Sequence, residues 1–151
     1  MEIVKYEEKY HKYFIEFNTD WIVDNFNVLE KEDIDTFNNL KDNLQNGAMV
    51  YFTIEEDVVL ATCMTIPMGN DTWEICKLAS NKHVEHKGAG SEVFKATMKY
   101  AIDNGAKKIF LISNRKLKPA LHIYEKFGFE EIKLADYEYC RGDIAYEYLV
   151  Q

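Results

Sequence analysis

The sequence predicts a single α/β domain. Hydrophobic runs with the periodicities of strands and helices alternate along the chain in the order β-αα-βββ-α-β-α-ββ. Only two prolines, Pro67 and Pro119, occur in the 151 residues, and no internal repeat, low-complexity tract or linker divides them. A chain of this length can bury roughly two-thirds of the surface that it exposes when unfolded, which favours one hydrophobic core over two smaller ones.

The N-terminal third is predicted to be mainly helical. Residues 3–6 form a short predicted strand. A helix is predicted over residues 7–26, where large apolar side chains recur at spacings of three and four. A second helical region is predicted over residues 33–45, closed by Asn46 and Gly47.

Three strands are predicted next, at residues 48–54, 58–66 and 73–80. The acidic turn Glu55-Glu56-Asp57 is short enough to make the first two a hairpin. The third strand leads into a glycine-containing turn at residues 85–91.

The second half of the chain continues the alternation. The helix predicted over residues 90–104 has Val93, Thr97 and Ala101 along one stripe, so one of its faces is expected to pack on a sheet. Pro119 falls in the first turn of a predicted helix, where its missing N–H is tolerated. The remaining elements are a strand at residues 107–112, a helix at 116–127, and strands at 129–134 and 144–150.

The turn Glu85-His86-Lys87-Gly88-Ala89-Gly90-Ser91 is a candidate phosphate site. Glycines in such a turn let backbone N–H groups approach a bound anion, and the N-terminus of the following helix adds a partial positive charge at the same point. The alternative is that the turn only begins a helix, as many short glycine turns do.

A second motif follows the strand at residues 107–112. Asn114, Ala120 and the run Tyr124-Glu125-Lys126-Phe127-Gly128-Phe129 resemble the Asn...Ala...Tyr-x-Lys-x-Gly-Phe signature of the GCN5-related N-acetyltransferases, the GNAT superfamily. The glycine turn lies where that superfamily has its pyrophosphate loop. The resemblance covers residues 48–133. It implies the GNAT fold, a mixed sheet with helices on both faces, and an N-acetyltransferase that uses acetyl-CoA and transfers the acetyl group directly to an amine.

The resemblance also implies which residues contact acetyl-CoA. The backbone of the strand before the turn is expected to pair with the pantetheine arm, and the pyrophosphate is expected to meet the backbone N–H groups of the turn and the charge of Lys87. Asn114 either contacts the cofactor or caps a helix. The implied cofactor-binding residues are Leu78, Ala79, Ser80, His86, Lys87, Gly88, Ala89, Gly90, Ser91, Asn114 and Tyr124.

Two residues are catalytic candidates under the same resemblance. Glu74 lies 11 residues before Glu85, the spacing at which some histone acetyltransferases of the superfamily place their glutamate, so it is the candidate general base. Tyr124 is the candidate acid that protonates the leaving thiolate, because a phenol with a pKa near ~10 keeps its proton at neutral pH. For Glu74 the alternative is an exposed strand carboxylate, with another residue or a water chain as the base. For Tyr124 the alternative is an aromatic ring that only packs against the sheet.

Three residues depart from the superfamily pattern. Glu85 stands where Gln or Arg is usual, and its carboxylate would repel a pyrophosphate unless it turns outward. Leu117 occupies the position of the motif's Asn, three residues before Ala120. Lys77 stands where an apolar or aromatic residue is common, which leaves the surroundings of the thioester open.

The acceptor pocket is expected to lie between the N-terminal helices and the last strands. Trp21 and Arg141 are the candidate substrate contacts. Arg141 would suit the carboxylate of an amino-acid-like amine, with a structural salt bridge as the alternative. Segments at residues 21–33 and 139–144 are similar to those of acetyltransferases fused to MarR-type regulators. Further candidates for the pocket are Phe17, Phe26, Tyr137, Tyr139 and Tyr146.

A small-molecule amine is the expected acceptor. Glu74 together with Tyr124 favours an enzyme over the first alternative, a non-catalytic acyl-CoA-binding regulatory module. The aromatic N-terminal helices indicate a closed pocket, which favours a small amine over the second alternative, a protein lysine or N-terminus. The sequence leaves the oligomeric state open, and a homodimer is one option.

The charge distribution limits the partners. Residues 1–57 hold 14 acidic and 5 basic side chains, which accounts for the formal net charge of −8, and the rest of the chain is close to neutral. Nucleic acid is therefore not an expected partner, because binding it needs a basic face. The acidic region is either a solvated surface or an attraction for a cationic amine.

The sequence also indicates the cellular context. No segment has the pattern of a signal peptide or the ~20 apolar residues of a membrane span, so a cytoplasmic protein without membrane association is expected. Cys63, Cys76 and Cys140 are expected to be reduced structural thiols. No metal is expected, because His83 and His86 lack further ligands at a recognisable spacing.

Overall fold

The computed structural model describes residues 1–134 and 141–151. The strands are β1 (Glu2–Lys5), β2 (Met49–Glu55), β3 (Val58–Gly69), β4 (Thr72–Ser80), β5 (Lys108–Ser113), β6 (Glu130–Ile132) and β7 (Ile144–Leu149). The helices are α1 (His11–Phe26), α2 (Lys31–Asn38), α3 (Leu40–Gln45), α4 (Ala89–Asp103) and α5 (Lys118–Lys126), and a 3-10 turn at Glu8–Tyr10 precedes α1.

The seven strands form one mixed sheet in the order β1-β2-β3-β4-β5-β7-β6. Only the β4–β5 pair is parallel among the strands described. α4 and α5 pack on one face of the sheet, where Val93, Phe94 and Tyr124 are buried. α1 and α3 pack on the other face, through Phe14 and Leu40. The predicted mixed sheet with helices on both faces is confirmed.

The N-terminal helical region differs from the prediction at one point. The helix expected over residues 33–45 is two helices, α2 and α3, which meet at Asn39. The backbone of Asn39 leaves helical geometry, with φ −97° and ψ 11°. Asparagine favours such breaks because its side chain competes for backbone hydrogen bonds.

Two tight hairpins build the centre of the sheet. Glu56 and Asp57 both have positive φ and join β2 to β3, as the sequence predicted. A second such pair, Asn70 and Asp71, joins β3 to β4 and lets β3 continue past Pro67 to Gly69. This second hairpin was not predicted. Positive φ at two successive turn residues matches the right-handed twist of the flanking strands.

No helix in residues 1–134 and 141–151 is long and apolar enough to cross a membrane.

Candidate functional site

A cleft opens in the sheet between β4 and β5. The two strands pair over only three residue pairs, which end at Glu74 opposite Phe110. Beyond that point β4 stays paired with β3, and β5 stays paired with β7. The opening contains a cavity of about 310 Å³. The candidate residues that line it are Trp21, Glu74, Leu78, Ala79, Ser80, Gly90, Asn114, Tyr124 and Arg141.

A β-bulge shapes the β4 wall of this cavity. Thr62 pairs with Ala79 and Met64 pairs with Cys76, so two residues of β4, Lys77 and Leu78, face one residue of β3. Lys77 takes up the bulge with a left-handed φ of 56°, which is uncommon for a residue other than glycine. The bulge re-aims the side chain of Lys77, which is buried despite its charge.

The glycine turn borders the cavity through Gly90. Gly88, with φ 88°, precedes the first turn of α4, and the N–H of Glu92 donates to its carbonyl oxygen at 3.0 Å. The N–H groups of Ala89, Gly90 and Ser91 therefore come before the first intrahelical bond and are available to a ligand. Glu85 and Lys87 are exposed on the same turn.

Two observations bear on whether this turn can hold part of a bound molecule. Gly90 lines the cavity, and a Cβ there would lie 3.4 Å from Ile123 Cδ1 and 3.8 Å from Ser80 Oγ, so the glycine keeps the opening clear. The Nδ1 atom of His86 is buried without a hydrogen-bond partner among the described residues. A buried polar atom of this kind is one that a bound group could satisfy.

Tyr124 lines the cavity and belongs to the core beneath α4 and α5. Its ring packs against Phe94 at 5.4 Å and Tyr146 at 5.6 Å, centroid to centroid, and the residue is 7% exposed. Burial raises the pKa of Tyr124 well above its ordinary value; nearby Cys63 adds to the rise and Ser113 offsets part of it. The phenol therefore keeps its proton through the neutral range.

Glu74 lies at the point where β4 and β5 separate. It lines the cavity and is 7% exposed, so the sequence alternative of a solvent-facing strand carboxylate is wrong. Thr65 Oγ1 donates to its backbone oxygen at 2.8 Å, which fixes this part of β4 against β3.

Asn114 holds the end of β5 to the segment before β7. Its Nδ2 donates to the backbone oxygen of Arg141 at 2.6 Å, and its Oδ1 accepts from the N–H of Lys116 at 2.9 Å. The N-cap of α5 is instead Leu117, which makes no side-chain cap bond. Asn114 thus closes a turn ahead of the helix while it lines the cavity.

Beside the cavity lies a group of four charged side chains, of which Lys77 and Arg141 line it: Glu30, Asp33, Lys77 and Arg141. Asp33 forms an ion pair with Lys77, and Arg141 binds its two carboxylate oxygens at 2.6 and 2.7 Å. Arg141 also donates to Glu30 Oε2 at 3.2 Å and lies over the Trp21 ring at 5.4 Å from its centroid. Arg141 therefore forms the structural salt bridge that the sequence analysis gave as the alternative to binding a substrate carboxylate.

The structure places the other acceptor candidates differently. Phe17 and Tyr146 are buried in the two cores, and neither lines the cavity. The Phe26 ring packs edge-on against Trp21 at 6.3 Å and carries Lys116 over its face. Tyr137, Tyr139 and Cys140 lie outside the described residues.

Several cavity residues were not among the sequence candidates. Cys76 and Ser113 line it, as does Lys77, which the sequence marked only as unusual for its position. Cys76 is a free, half-buried thiol, whereas Cys63 is free and fully buried. The sequence held one signal for the charged group: Glu30 and Asp33 have the spacing of a capping box, which they form at the start of α2.

A small surface group of potential metal ligands lies near the glycine turn. Glu16, Asp20 and His83 place ligand atoms within 4.8 Å of one another. The sequence spacing did not indicate this grouping. Two carboxylates and an imidazole commonly meet at protein surfaces without a metal, and none of the three lines the cavity.

The charged group predicts a specific loss of stability in acid. The hydrogen bonds from Arg141 and the charge of Lys77 lower the pKa of Asp33 to about 2, against the opposing effect of burial. Because the folded-state pKa is lower than the unfolded one, the contribution is present above about pH 4 and is lost as the pH falls towards 2. We expect the wild type to lose about 2 kcal/mol more unfolding free energy than Asp33→Asn between pH 5 and pH 2, measured by urea titration. Parallel stability curves for the two proteins would contradict this.

Residues 10–129 match the family described as "Acetyltransferase (GNAT) family". No curated protein matches the sequence.

Solved structures share the fold over nearly the whole chain. A GNAT-family acetyltransferase from Staphylococcus aureus Mu50 has a TM-score of 0.87 at 20% identity, covering 99% of both chains. PaiA N-acetyltransferase from Thermoplasma acidophilum, in complex with coenzyme A, has a TM-score of 0.74 at 14% identity, covering 99% of this chain and 98% of that one. The protein yncA from Salmonella typhimurium, with its cofactor acetyl-CoA, has a TM-score of 0.81 at 11% identity, covering 100% and 94%.

Proposed function

We propose that this chain, which belongs to the GNAT family of acetyltransferases, is an N-acetyltransferase that transfers the acetyl group of acetyl-CoA directly to the amine of a small molecule. The observation that carries the proposal is the cleft between β4 and β5. It combines a helix N-terminus suited to phosphate with a buried carboxylate and a buried phenol in one cavity.

The chain's own residues fit acetyl-CoA. The glycine turn offers the N–H groups of Ala89, Gly90 and Ser91 to the pyrophosphate, and exposed Lys87 adds a positive charge. Leu78, Ala79 and Ser80 line the opening where β4 has left β5, so backbone groups on that side can pair with an extended pantetheine arm. Two proteins of the same fold were crystallised with coenzyme A or acetyl-CoA, which supports this assignment.

Two side chains supply the proton transfers. Acetyl-CoA brings an acetyl group activated as a thioester. Glu74 takes one proton from the bound ammonium, directly or through one water, which frees the amine to attack the thioester. The proton that the nitrogen then loses as it becomes an amide replaces the one that Tyr124 gives to the thiolate. Tyr124, which is protonated at neutral pH, gives its phenolic proton to the departing thiolate.

The acceptor is recognised through its amine. The guanidinium of Arg141 already binds Asp33 and Glu30, so a substrate carboxylate would have to compete with two carboxylates of the protein. Glu74 and the acidic N-terminal region instead favour an ammonium group. The similarity to acetyltransferases fused to MarR-type regulators stays a hypothesis about the acceptor side.

Acetyl-CoA is expected to raise the melting temperature. At 100 times the dissociation constant it should add about 2.7 kcal/mol, which corresponds to roughly 5–10 °C for a chain of this size. Gly90→Asp should reduce that rise sharply, because it places a negative charge beside the pyrophosphate. The backbone φ of Gly90 is not in the left-handed region, and a Cβ there would meet only side-chain atoms, at 3.4 Å or more, so the fold should persist.

Gly90→Asn is the matched control for the charge. It has nearly the same size, so its acetyl-CoA affinity should exceed that of Gly90→Asp by at least about 10-fold. An unchanged melting curve of the wild type in saturating acetyl-CoA would refute the proposal. If the wild type binds acetyl-CoA, release of free coenzyme A during incubation with a panel of amines will identify the acceptor class.

A further inference from the structure

We propose that Asp33 is a positioning residue that ties the two walls of the cleft together and sets their separation. Asp33 lies on α2, outside both walls, and has no place in the chemistry described above. The inference rests on the proposed function only in taking this cleft as the place where acetyl-CoA reacts.

The Asp33 carboxylate is saturated with donors. Its Oδ1 accepts from Lys77 Nζ and from Arg141 Nη2, the latter at 2.6 Å. Its Oδ2 accepts from Arg141 Nη1 at 2.7 Å and from the N–H of Glu30 at 2.8 Å. Four donors on two oxygens fill the acceptor capacity of a carboxylate. Its position relative to Lys77 and Arg141 is therefore tightly fixed.

These contacts reach both walls of the cleft. Lys77 belongs to the bulge of β4, the first wall. Arg141 is joined through its backbone oxygen to Asn114, at the end of β5, the second wall. The neighbouring Asp143 strengthens this second attachment, since its Oδ1 accepts from the N–H of Arg115 at 2.8 Å and its own N–H donates to Ser113 at 3.1 Å. A continuous polar path thus runs from β4 through Asp33 to β5.

Burial shows that the charge has a role beyond capping α2. The side chain of Asp33 is 0% exposed and that of Lys77 is 2% exposed, and taking such charges out of water is costly. A helix cap needs only a side-chain oxygen, which a neutral Asn supplies equally well. The charged, forked contact with Arg141 instead fixes geometry, which is the use for which buried ion pairs are best attested.

The experiment compares amide hydrogen exchange in the unliganded wild type and in Asp33→Asn. The variant keeps an oxygen for the helix cap and removes the charge that holds Lys77 and Arg141. We expect exchange to become about 10-fold faster or more at the two wall segments, residues 75–80 and 112–115. Saturating coenzyme A should restore part of the protection, because it would bind between the same segments.

Asp35→Asn is the matched control on the same helix. Asp35 forms an exposed ion pair with Lys31 at 2.7 Å, so its loss should change exchange at both walls by less than about 2-fold. Arg141→Lys is a second test variant that keeps the positive charge and loses the fork, and it should loosen the same two segments to a smaller degree. If Asp33→Asn does not fold, this variant decides the question.

Faster exchange confined to residues 30–38 would overturn the proposal and leave Asp33 as a cap of α2. Unchanged exchange at the walls in the variant that folds would overturn it as well. These results come from the unliganded protein, so they stand apart from the proposed function. Failure of the wild type to bind acetyl-CoA would contradict the proposed function. The exchange pattern of the unliganded proteins would still test the role of Asp33.

Discussion

Tyr124→Phe is expected to lower kcat by about 100-fold or more, with little change in the affinity for acetyl-CoA. The substitution removes only the hydroxyl, because the phenylalanine ring can keep the packing against Phe94 and Tyr146. The loss should appear in turnover and not in binding, since the proton is needed only as the thiolate departs. Steady-state kinetics with an acceptor from the amine panel, together with calorimetric titration of coenzyme A, separates the two quantities.

Tyr100→Phe is the matched control for this experiment. Tyr100 also loses a hydrogen-bonded hydroxyl, which donates to the Gly47 carbonyl at 3.2 Å, but it does not line the cavity. Its kcat should stay within about 2-fold of the wild type, as expected away from the reacting atoms. Equal losses of coenzyme A affinity and turnover in Tyr124→Phe would show that the ring only packs.

Glu74→Gln is expected to reduce kcat/KM most strongly at low pH, by about 100-fold or more. Most amines are protonated there, so a positioned carboxylate both attracts the ammonium and accepts its proton. The loss should shrink as the pH approaches the pKa of the acceptor, where free amine becomes abundant. A profile of kcat/KM against pH for both proteins measures this difference.

Glu74→Asp provides the comparison that keeps the charge. It withdraws the carboxylate by one methylene, so its activity should fall between those of the wild type and Glu74→Gln at every pH, with a profile of the wild-type shape. Wild-type activity of Glu74→Gln across the range would assign the base to another residue or to water.

Local patterns in the sequence predicted the elements well. The strand and helix periodicities, the glycine turn and Pro119 in the first turn of α5 depend on neighbouring residues, so their signals are readable in one stretch of chain. The break at Asn39 and the turn at Asn70 and Asp71 were missed. Asparagine and aspartate indicate loops, but they do not fix where a helix breaks or how far a strand continues.

The charged group around Asp33 could not be predicted in the same way. Asp33 is separated from Lys77 by 44 residues and from Arg141 by 108 residues, and only the folded sheet brings them together. The sequence marked Lys77 as unusual and left Arg141 between two roles. The left-handed φ of Lys77 directs its side chain, and the sequence could not predict it because lysine does not favour that conformation.

The three residue pairs that join β4 to β5 have a mechanical consequence. They divide the sheet into a block of β1–β4 and a block of β5–β7, with a pivot that ends at Glu74 and Phe110. A small rotation about this pivot hardly moves Glu74, which lies beside it, whereas it displaces the far ends of the strands in proportion to their distance from the pivot. A tie placed away from the pivot, as at Lys77 and Asn114, therefore restrains the rotation with far less force than one placed beside Glu74.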